Sequence, residues 1–501
     1  MKLKSLLTFG LAMFAMGITA CDDDDYTSVV NLNVDGPEAY ELPLSGASAP
    51  MTIAITASSH PEANSEQEWI HVGDVLTKDV NAGKYEVYFT VDANDGEDRE
   101  GAVNIFALDK VLNVKIVQTG SAVAPTPDEP TGNVNHGTLG MTSNAKQLAA
   151  KIFAGVNIGN TMEACDGKNR TGSETAWGQP TINNAYLAGL KAAGFNAVRI
   201  PCSWYCHSDA KDNIDAAWLA RVEEVISMCV DNDLYVVLNA HWDGGWLEDH
   251  INEGYKESID KRMEAYWDQI ASKLKDFDEH LMFAGMNEPG MNGGMNDNFD
   301  ALQRYQQTFI NTVRATGGNN ATRVLIVQGP STDIDMTEKS YKMPTDEVAD
   351  RLMVEVHFYD PSDFTIMSKD GDWSDFVKLY WGANNHVEGS KRNCTWGEEA
   401  HVDSQFAKMK NKFVNAGIPV IIGEYSSASD RSAFSSDLDM DKWKASRADW
   451  NEYITRSAKN NGCVPFYWET GGDINRNDGS VKNAYAIDAL MKGAKEGTYP
   501  Y

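Results

Sequence analysis

The chain has no cluster of lysine and arginine: 43 basic residues are spread among 73 acidic ones, giving a formal net charge of −30 over 501 residues. That lack excludes the electrostatic footprint of a nucleic-acid binder. The same field repels acidic polymers such as pectin and so favours a neutral partner. There is little to suggest a membrane span, because the apolar stretch at the N-terminus is too short for one. Cysteine is scarce, with seven in all. Six of them, Cys165, Cys202, Cys206, Cys229, Cys394 and Cys463, lie beyond residue 21, and the sequence does not choose a pairing among them. The "CSWYCH" cluster of Cys202, Cys206 and His207 lacks a second ligand pair at zinc-like spacing, so no metal site is expected. A phosphate-binding loop is also missing: the only Gly-rich candidate, "ETGGD" from Glu469 to Asp473, reads as a turn.

What is there begins with "MKLKSLLTFGLAMFAMGITAC", a basic start, an apolar segment of signal-peptide length and small residues before Cys21. The "ITAC" ending resembles a bacterial lipobox, which implies cleavage before Cys21, lipidation of that cysteine and anchoring to the outer membrane. Residues 22–28 open on "DDDD", too acidic and short to fold, and read as a solvated tether. A similar acidic run follows the lipidated cysteine of surface-exported lipoproteins of the Bacteroidetes type. The resemblance implies a location on the outer face of the cell.

The length exceeds the roughly 250 to 300 residues at which one core usually stops growing, so more than one domain is expected. Residues 29–120 alternate strictly, as in Met51, Ile53, Ile55 and in Tyr85, Val87, Phe89, Val91, the period of half-buried strands. They read as a small all-β, immunoglobulin-like sandwich. "REGAVNIFALDKVLNVKIVQTG" within it resembles the BACON domain. Residues 121–140, "SAVAPTPDEPTGNVNHGTLG", are Pro- and Gly-containing with few bulky apolar side chains, and read as a linker.

From residue 141 to 501 short β-rich runs alternate with amphipathic helical stretches. The eight runs are "IFAGVNIG", "FNAVRIP", "LYVVLNAHW", "LMFAGMNE", "RVLIVQG", "LMVEVHFY", "PVIIGEY" and "CVPFYWE". Eight such units fit an α/β (β/α)8 TIM barrel, whose chemistry sits where the strands end. Seven of the eight close on polar or aromatic groups: Asn157 and Asn160, Arg199, His241 and Trp242, Asn287 and Glu288, His357 and Tyr359, Glu424 and Tyr425, Trp468 and Glu469. Glu288 and Glu424 end the fourth and seventh runs, so both face one mouth. Two carboxyl groups across a glycosidic bond are what its hydrolysis needs, one protonated and one ionised. Glu424 is expected to be ionised beside Arg199, and Glu288 to hold a proton through a raised pKa.

"MNEP", "IIGEY", "VRIP", "NAHW", "VHFY" and "FYW", in this order, resemble glycoside hydrolase family 5; "NIGNTMEA", "ETAWGQP" and "LKAAGFNAVRIP" resemble its subfamily 4. The similarity runs from about Thr142 to the C-terminus. It implies a retaining endo-β-1,4-glucanase, with xyloglucan as first substrate and mixed-linkage glucan, cellulose derivatives or glucomannan behind it. By the same resemblance Glu424 matches the nucleophile, Glu288 the acid/base and Asn287 the partner of the sugar 2-hydroxyl. Arg199 and Tyr359 match groups that hold the nucleophile, His241 and His357 active-site histidines, and Trp468 the platform under the sugar. No cofactor is implied, since the carboxylates supply the chemistry. Two departures stand out, Val156 where the subfamily commonly has Trp, and the Gly- and Met-rich loop after Glu288.

Sugar rings stack on aromatic faces. Trp177, Trp242, Trp246, Trp373, Trp381 and Trp396 all fall in strand-to-helix segments, and about half are expected to touch glycan. Asn160 is expected at the same rim. The segment 360–401 is the largest rim insertion and reads as a functional wall. A catalytically silent glycan-binding lipoprotein is the competing reading, against which the intact carboxylate pair argues. Expected partners are the polysaccharide, the outer membrane through Cys21 and other surface glycan-utilisation proteins. With Trp69 as its only tryptophan, the N-terminal domain reads as a spacer rather than a binding module.

Overall fold

The computed structural model describes residues 31–37, 39–42, 47–94, 99–108, 110–118, 134–291 and 295–501. The Cys21 lipidation site, the acidic tether and most of the linker lie outside them. The chain divides into two compact units, residues 1–129 and 130–501.

The first unit is built from β1 (Leu32–Val34), β2 (Ala39–Leu42), β3 (Ala47–Ala57), β4 (Glu62–Asn64), β5 (Ile70–Asp79), β6 (Lys84–Val91), β7 (Arg99–Ala107) and β8 (Lys110–Gln118). They form two four-stranded sheets, ordered β1-β3-β6-β5 and β2-β8-β7-β4. The alternation seen in the sequence is the alternation of burial: Tyr85, Val87, Phe89 and Val91 of β6 and Val103, Ile105 and Ala107 of β7 all enter one core. Trp69 packs against that core and carries the Arg99 guanidinium 4.2 Å above its ring.

The second unit is a closed parallel barrel. Its strands are β9 (Gly155–Asn157), β12 (Ala197–Ile200), β13 (Tyr235–Asn239), β14 (Leu281–Ala284), β15 (Leu325–Gln328), β16 (Leu352–His357), β17 (Val420–Tyr425) and β18 (Cys463–Tyr467). A short hairpin, β10 (Cys165–Asp166) and β11 (Thr171–Gly172), interrupts the series after the first strand. All eight runs read from the sequence are barrel strands. Between them lie helices such as Ala216–Asp231, whose Asp215 cap accepts from Ala217 N and whose Trp218, Val222, Val225, Ile226 and Cys229 make one buried stripe.

Successive strand residues point to opposite faces. One set, including Val198, Val236, Leu238, Phe283, Val327, Val354 and Ile422, packs under the helices. The other, including Ala197, Val237, Met282, Ile326, Met353, Ile421 and Val464, fills the barrel floor. Two residues beyond that floor on the same inward parity come Arg199, Asn239, Gln328 and Glu355, all fully buried. The barrel therefore carries a polar layer above an apolar one.

One boundary is corrected. Residues 134–140, read as the end of the linker, belong to the barrel unit: Val134 packs on its core, Asn135 N donates to Ser227 Oγ at 2.8 Å, and Leu139 N donates to Asp278 Oδ2 at 2.6 Å. Their polar composition serves these contacts, which composition alone does not distinguish from a solvated linker.

Candidate active site

β17 would by simple alternation aim Glu424 away from the barrel interior. The register slips instead, so that Val356 pairs with Ile422 but His357 with Glu424, and this bulge turns Glu424 into the mouth. Gly423 is the residue passed over. A Cβ there would lie 1.9 Å from Glu355 Oε1, so only glycine leaves room for that buried carboxylate.

Arg199 sits at the centre of the polar layer. Its Nε lies 2.9 Å from Glu355 Oε1, its Nη1 donates to Asn157 Oδ1 and to Glu424 Oε1 at 3.0 Å each, and its Nη2 donates to Asn287 Oδ1 at 2.8 Å. Tyr359 Oη donates to the other Glu424 oxygen at 2.9 Å. Glu424 is thus held through both oxygens. Across from it, Glu288 Oε1 shares a 2.7 Å hydrogen bond with His357 Nδ1, which is also 3.8 Å from Glu424 Oε2. An oxygen of each carboxylate and a His357 nitrogen all lie within 4.8 Å of one another.

The charge distribution differs from expectation. Burial opposes the imidazolium of His357, yet Glu424, Glu288 and Glu355 together raise its pKa to about 10. Burial likewise opposes ionisation of Glu288, but the His357 hydrogen bond and the charges of His357 and Arg199 together outweigh it and hold Glu288 below the usual carboxylate range. Glu424 moves the other way: burial, with the Glu288 charge, raises its pKa against His357 and Arg199. The expected raised pKa on Glu288 is therefore corrected. In the free protein the proton rests on His357, a group the sequence placed nearby without that role. Burial, then the charges of Arg199 and His357, keeps His241 neutral, its pKa well below the usual histidine value.

His241 and Trp468 lie parallel, 5.8 Å between centroids and 6° between planes. Two cavities flank the carboxylates and share Tyr359 as a wall. One, about 230 Å³, is lined by Ile366, Ser426, Ser427, Trp468 and Thr470; the other, about 190 Å³, by Glu288, Asp333, His357, Asp360 and Gln405. An opening on each side suits a chain that passes through rather than one that ends there.

The tryptophans divide. Trp177, Trp242, Trp373 and Trp396 are 40 to 58% exposed. Trp246 and Trp381 are buried at 5% and 1%, and the expectation that Trp246 contacts substrate is corrected. Its ring edge meets Tyr266 and its Nε1 donates to Asp243 Oδ2 at 3.2 Å, so it builds the loop that presents Trp242. Asn160 adopts a left-handed φ of 60° and spends its backbone N–H on Glu163, which brings it to neither carboxylate. Trp177 is tied to the mouth indirectly, through Gln179 donating to Thr470 O at 2.7 Å. Glu469 builds its turn by accepting from Gly471 N and Asp473 N.

Sequence reasoning missed Glu355, Glu248 and Asp243. Glu355 stands two residues before His357 on an apolar strand, and that parity was the available signal. Asp243, accepting from Trp204 N at 2.6 Å and Cys206 N at 3.2 Å, clamps the loops after β12 and β13 together. Nothing in its local sequence reveals those distant donors.

Residues 159–473 match the model of the cellulase family, glycosyl hydrolase family 5. The chain belongs to that family. As a family 5 enzyme it is a glycoside hydrolase, and the reading as a silent binding protein is set aside. It is similar to a xyloglucan-specific endo-β-1,4-glucanase of Bacteroides ovatus, 36% identical over 97% of this chain and 96% of that protein. A Bacteroides ovatus family 5 xyloglucanase solved with a XXXG heptasaccharide superposes with a TM-score of 0.65 at 34% identity, covering 93% of this hydrolase and all of that chain. A broad-specificity endoglucanase of Ruminococcus champanellensis with bound cellotriose gives 0.60 at 32% identity, covering 71% and all of that chain.

Proposed function

We propose that this family 5 hydrolase is a retaining endo-β-1,4-glucanase of plant cell-wall glucans, with xyloglucan as its preferred substrate, Glu424 as nucleophile and Glu288 as acid/base. The observation that carries it is the approach of Glu288 and Glu424 to within 4.8 Å. Retaining glycosidases hold their carboxyls about 5 to 5.5 Å apart, whereas inverting ones leave about 6.5 to 9.5 Å for a water.

In the first step a Glu424 oxygen attacks the anomeric carbon and forms a glycosyl ester as the bond to the leaving oxygen breaks. That oxygen takes a proton from Glu288, which draws it from His357 Nδ1 across their 2.7 Å bond, so that Glu288 is left ionised and His357 neutral. Arg199 and Tyr359 orient Glu424, and Asn287, held by Arg199, faces the sugar 2-hydroxyl. In the second step Glu288 takes a proton from water, whose oxygen displaces Glu424 from the anomeric carbon. Trp468, backed by His241, is the platform under the sugar.

Preference for xyloglucan over mixed-linkage glucan, cellulose derivatives and glucomannan is supported by the similarity, over nearly the whole chain, to a xyloglucan-specific enzyme. Side-by-side product profiling on these four polysaccharides tests it: xyloglucan is cut fastest, and a place among the slowest would overturn the ranking. The lipobox, Cys21 and the acidic run support a surface-exposed outer-membrane lipoprotein, with the BACON-like unit as a spacer. Cys21→Ala should release the protein from membranes, and retardation of the isolated β unit in a xyloglucan gel would remove the spacer reading.

A further inference from the structure

Glu248 lies on the short turn Glu248–His250 that follows β13, and it is only 7% exposed. It is not on a barrel strand and belongs to none of the motifs that mark the family. Its carboxylate accepts the Glu288 backbone N–H at 2.6 Å, and its own carbonyl accepts Gly290 N at 3.1 Å. The Asn287 side chain bears on the same carboxyl group and favours its ionised form. One residue therefore grips the backbone on both sides of Pro289 and the amide that precedes the acid.

We propose that Glu248 is a positioning residue for the acid end of the site: its carboxyl group fixes Asn287 and Glu288 for the 2-hydroxyl and the glycosidic oxygen, and its ionisation governs how firmly Glu288 and His357 keep their shared proton. This rests on the reading of Glu288 as acid/base. The geometry leaves few other roles, since Glu248 reaches the site through a backbone N–H and an amide and holds no cation. The charged groups bearing on it are Glu288 on the adjoining loop and Glu424 at the end of β17, with Arg199 reaching Asn287 from the barrel interior. On its own turn Asp249 is exposed and His250 turns its Nδ1 to Gly245 O. Burial is the main cause that raises its pKa, to about 8, and the charges of Glu288 and Glu424 add to it. Glu248 is thus neutral through the acidic and neutral range. When it ionises on the alkaline side, a third negative charge appears beside Glu288 and makes the proton it shares with His357 harder to lose.

Glutamine keeps one acceptor for the Glu288 N–H but cannot ionise. Full-length wild type, Glu248→Gln, Glu248→Ala and Glu288→Ala are compared on xyloglucan, for kcat and KM across pH, and on 2,4-dinitrophenyl cellobioside, for the burst rate of the first step. That leaving group departs without acid help. For Glu248→Gln we expect kcat on xyloglucan to fall about tenfold with KM within about twofold, and the alkaline limb to move to lower pH by about half a unit or more. For Glu248→Ala the loss is about a hundredfold, and the dinitrophenyl burst is kept in both variants. A purely structural role would lower the profile without moving its limb. A Glu248→Gln profile that scales onto wild type overturns the proposal, and this variant decides if Glu248→Ala does not fold. The acid/base reading fails separately, if Glu288→Ala slows the dinitrophenyl burst as severely as xyloglucan cleavage.

Discussion

The β unit and the barrel use one alternation for two purposes. In the β unit the period of two separates core from water, so the polar face of β6 meets solvent and its ions sit in the open: Lys84 pairs with Asp35 at 2.8 Å with both side chains partly exposed. In the barrel the same period separates an interior from a helical jacket, and both faces are buried. A polar residue on a barrel strand therefore has no water to fall back on. It must find partners, as Arg199 does with Glu355, Glu424, Asn157 and Asn287. A charge on an apolar strand thus means different things in the two units, and substitutions at matched ion pairs should separate them.

The largest expected effect is at Glu424, the proposed nucleophile. Glu424→Ala should lower kcat on xyloglucan by on the order of 10⁴-fold. Reducing-end release at the wild-type rate would remove the nucleophile assignment.

Next comes Glu355, fully buried against Arg199. Burial raises its pKa, but Arg199 first and then His357 and Gln328 bring it below the usual range. Glu355→Ala leaves the guanidinium without its inner partner, and breaking a buried pair in this way costs about 3 to 5 kcal/mol. Calorimetry should show the loss in the barrel transition alone. A loss below about 1 kcal/mol would mean that Glu424 and Asn157 suffice to hold Arg199.

These two residues also mark how far the sequence could be read. The eight strands, their order and the meeting of Glu288 and Glu424 at one mouth were legible because seven of the eight are apolar runs that end abruptly on polar or aromatic groups. Glu355 was hidden by that same rule, since it lies inside a run rather than at its end. The bulge that turns Glu424 inward leaves only Gly423 as a trace. Trp246 was misjudged because its position after β13 is right for a platform, while its burial depends on Tyr266, which only the fold brings near, and on a turn that folds its Nε1 back onto Asp243. The proton on His357 was not legible at all: it arises from three carboxylates converging from β14, β16 and β17.

The His357 charge has its own signature. Its folded pKa, about 10, lies above the unfolded value of about 6.5, so its stabilising contribution is full below about pH 6.5 and is lost as pH rises through 10. The difference in melting temperature between wild type and His357→Gln should therefore shrink on the alkaline side. A difference that stays constant between about pH 6 and pH 10 would show that the ring acts there by packing rather than by charge.

Asp35 in the β unit gives the smallest effect and the opposite sign. Its hydrogen bond from Lys84, then that from Thr56, holds its pKa below the ordinary 3.8. Lys84 Nζ is 2.8 Å away and Thr56 Oγ1 2.6 Å. A depressed carboxylate pKa stabilises above the unfolded value and stops doing so as pH falls through the folded one. Asp35→Asn should thus cost only about 0.2 to 1 kcal/mol at neutral pH, since the pair is partly exposed and screened, and the cost should vanish under strong acid. Added salt should shrink it further, whereas the Glu355 effect, out of reach of counterions, should hold its size. If salt weakened both equally, the barrel interior would be wetter than its zero exposure implies, and the contrast between the two units would be one of degree.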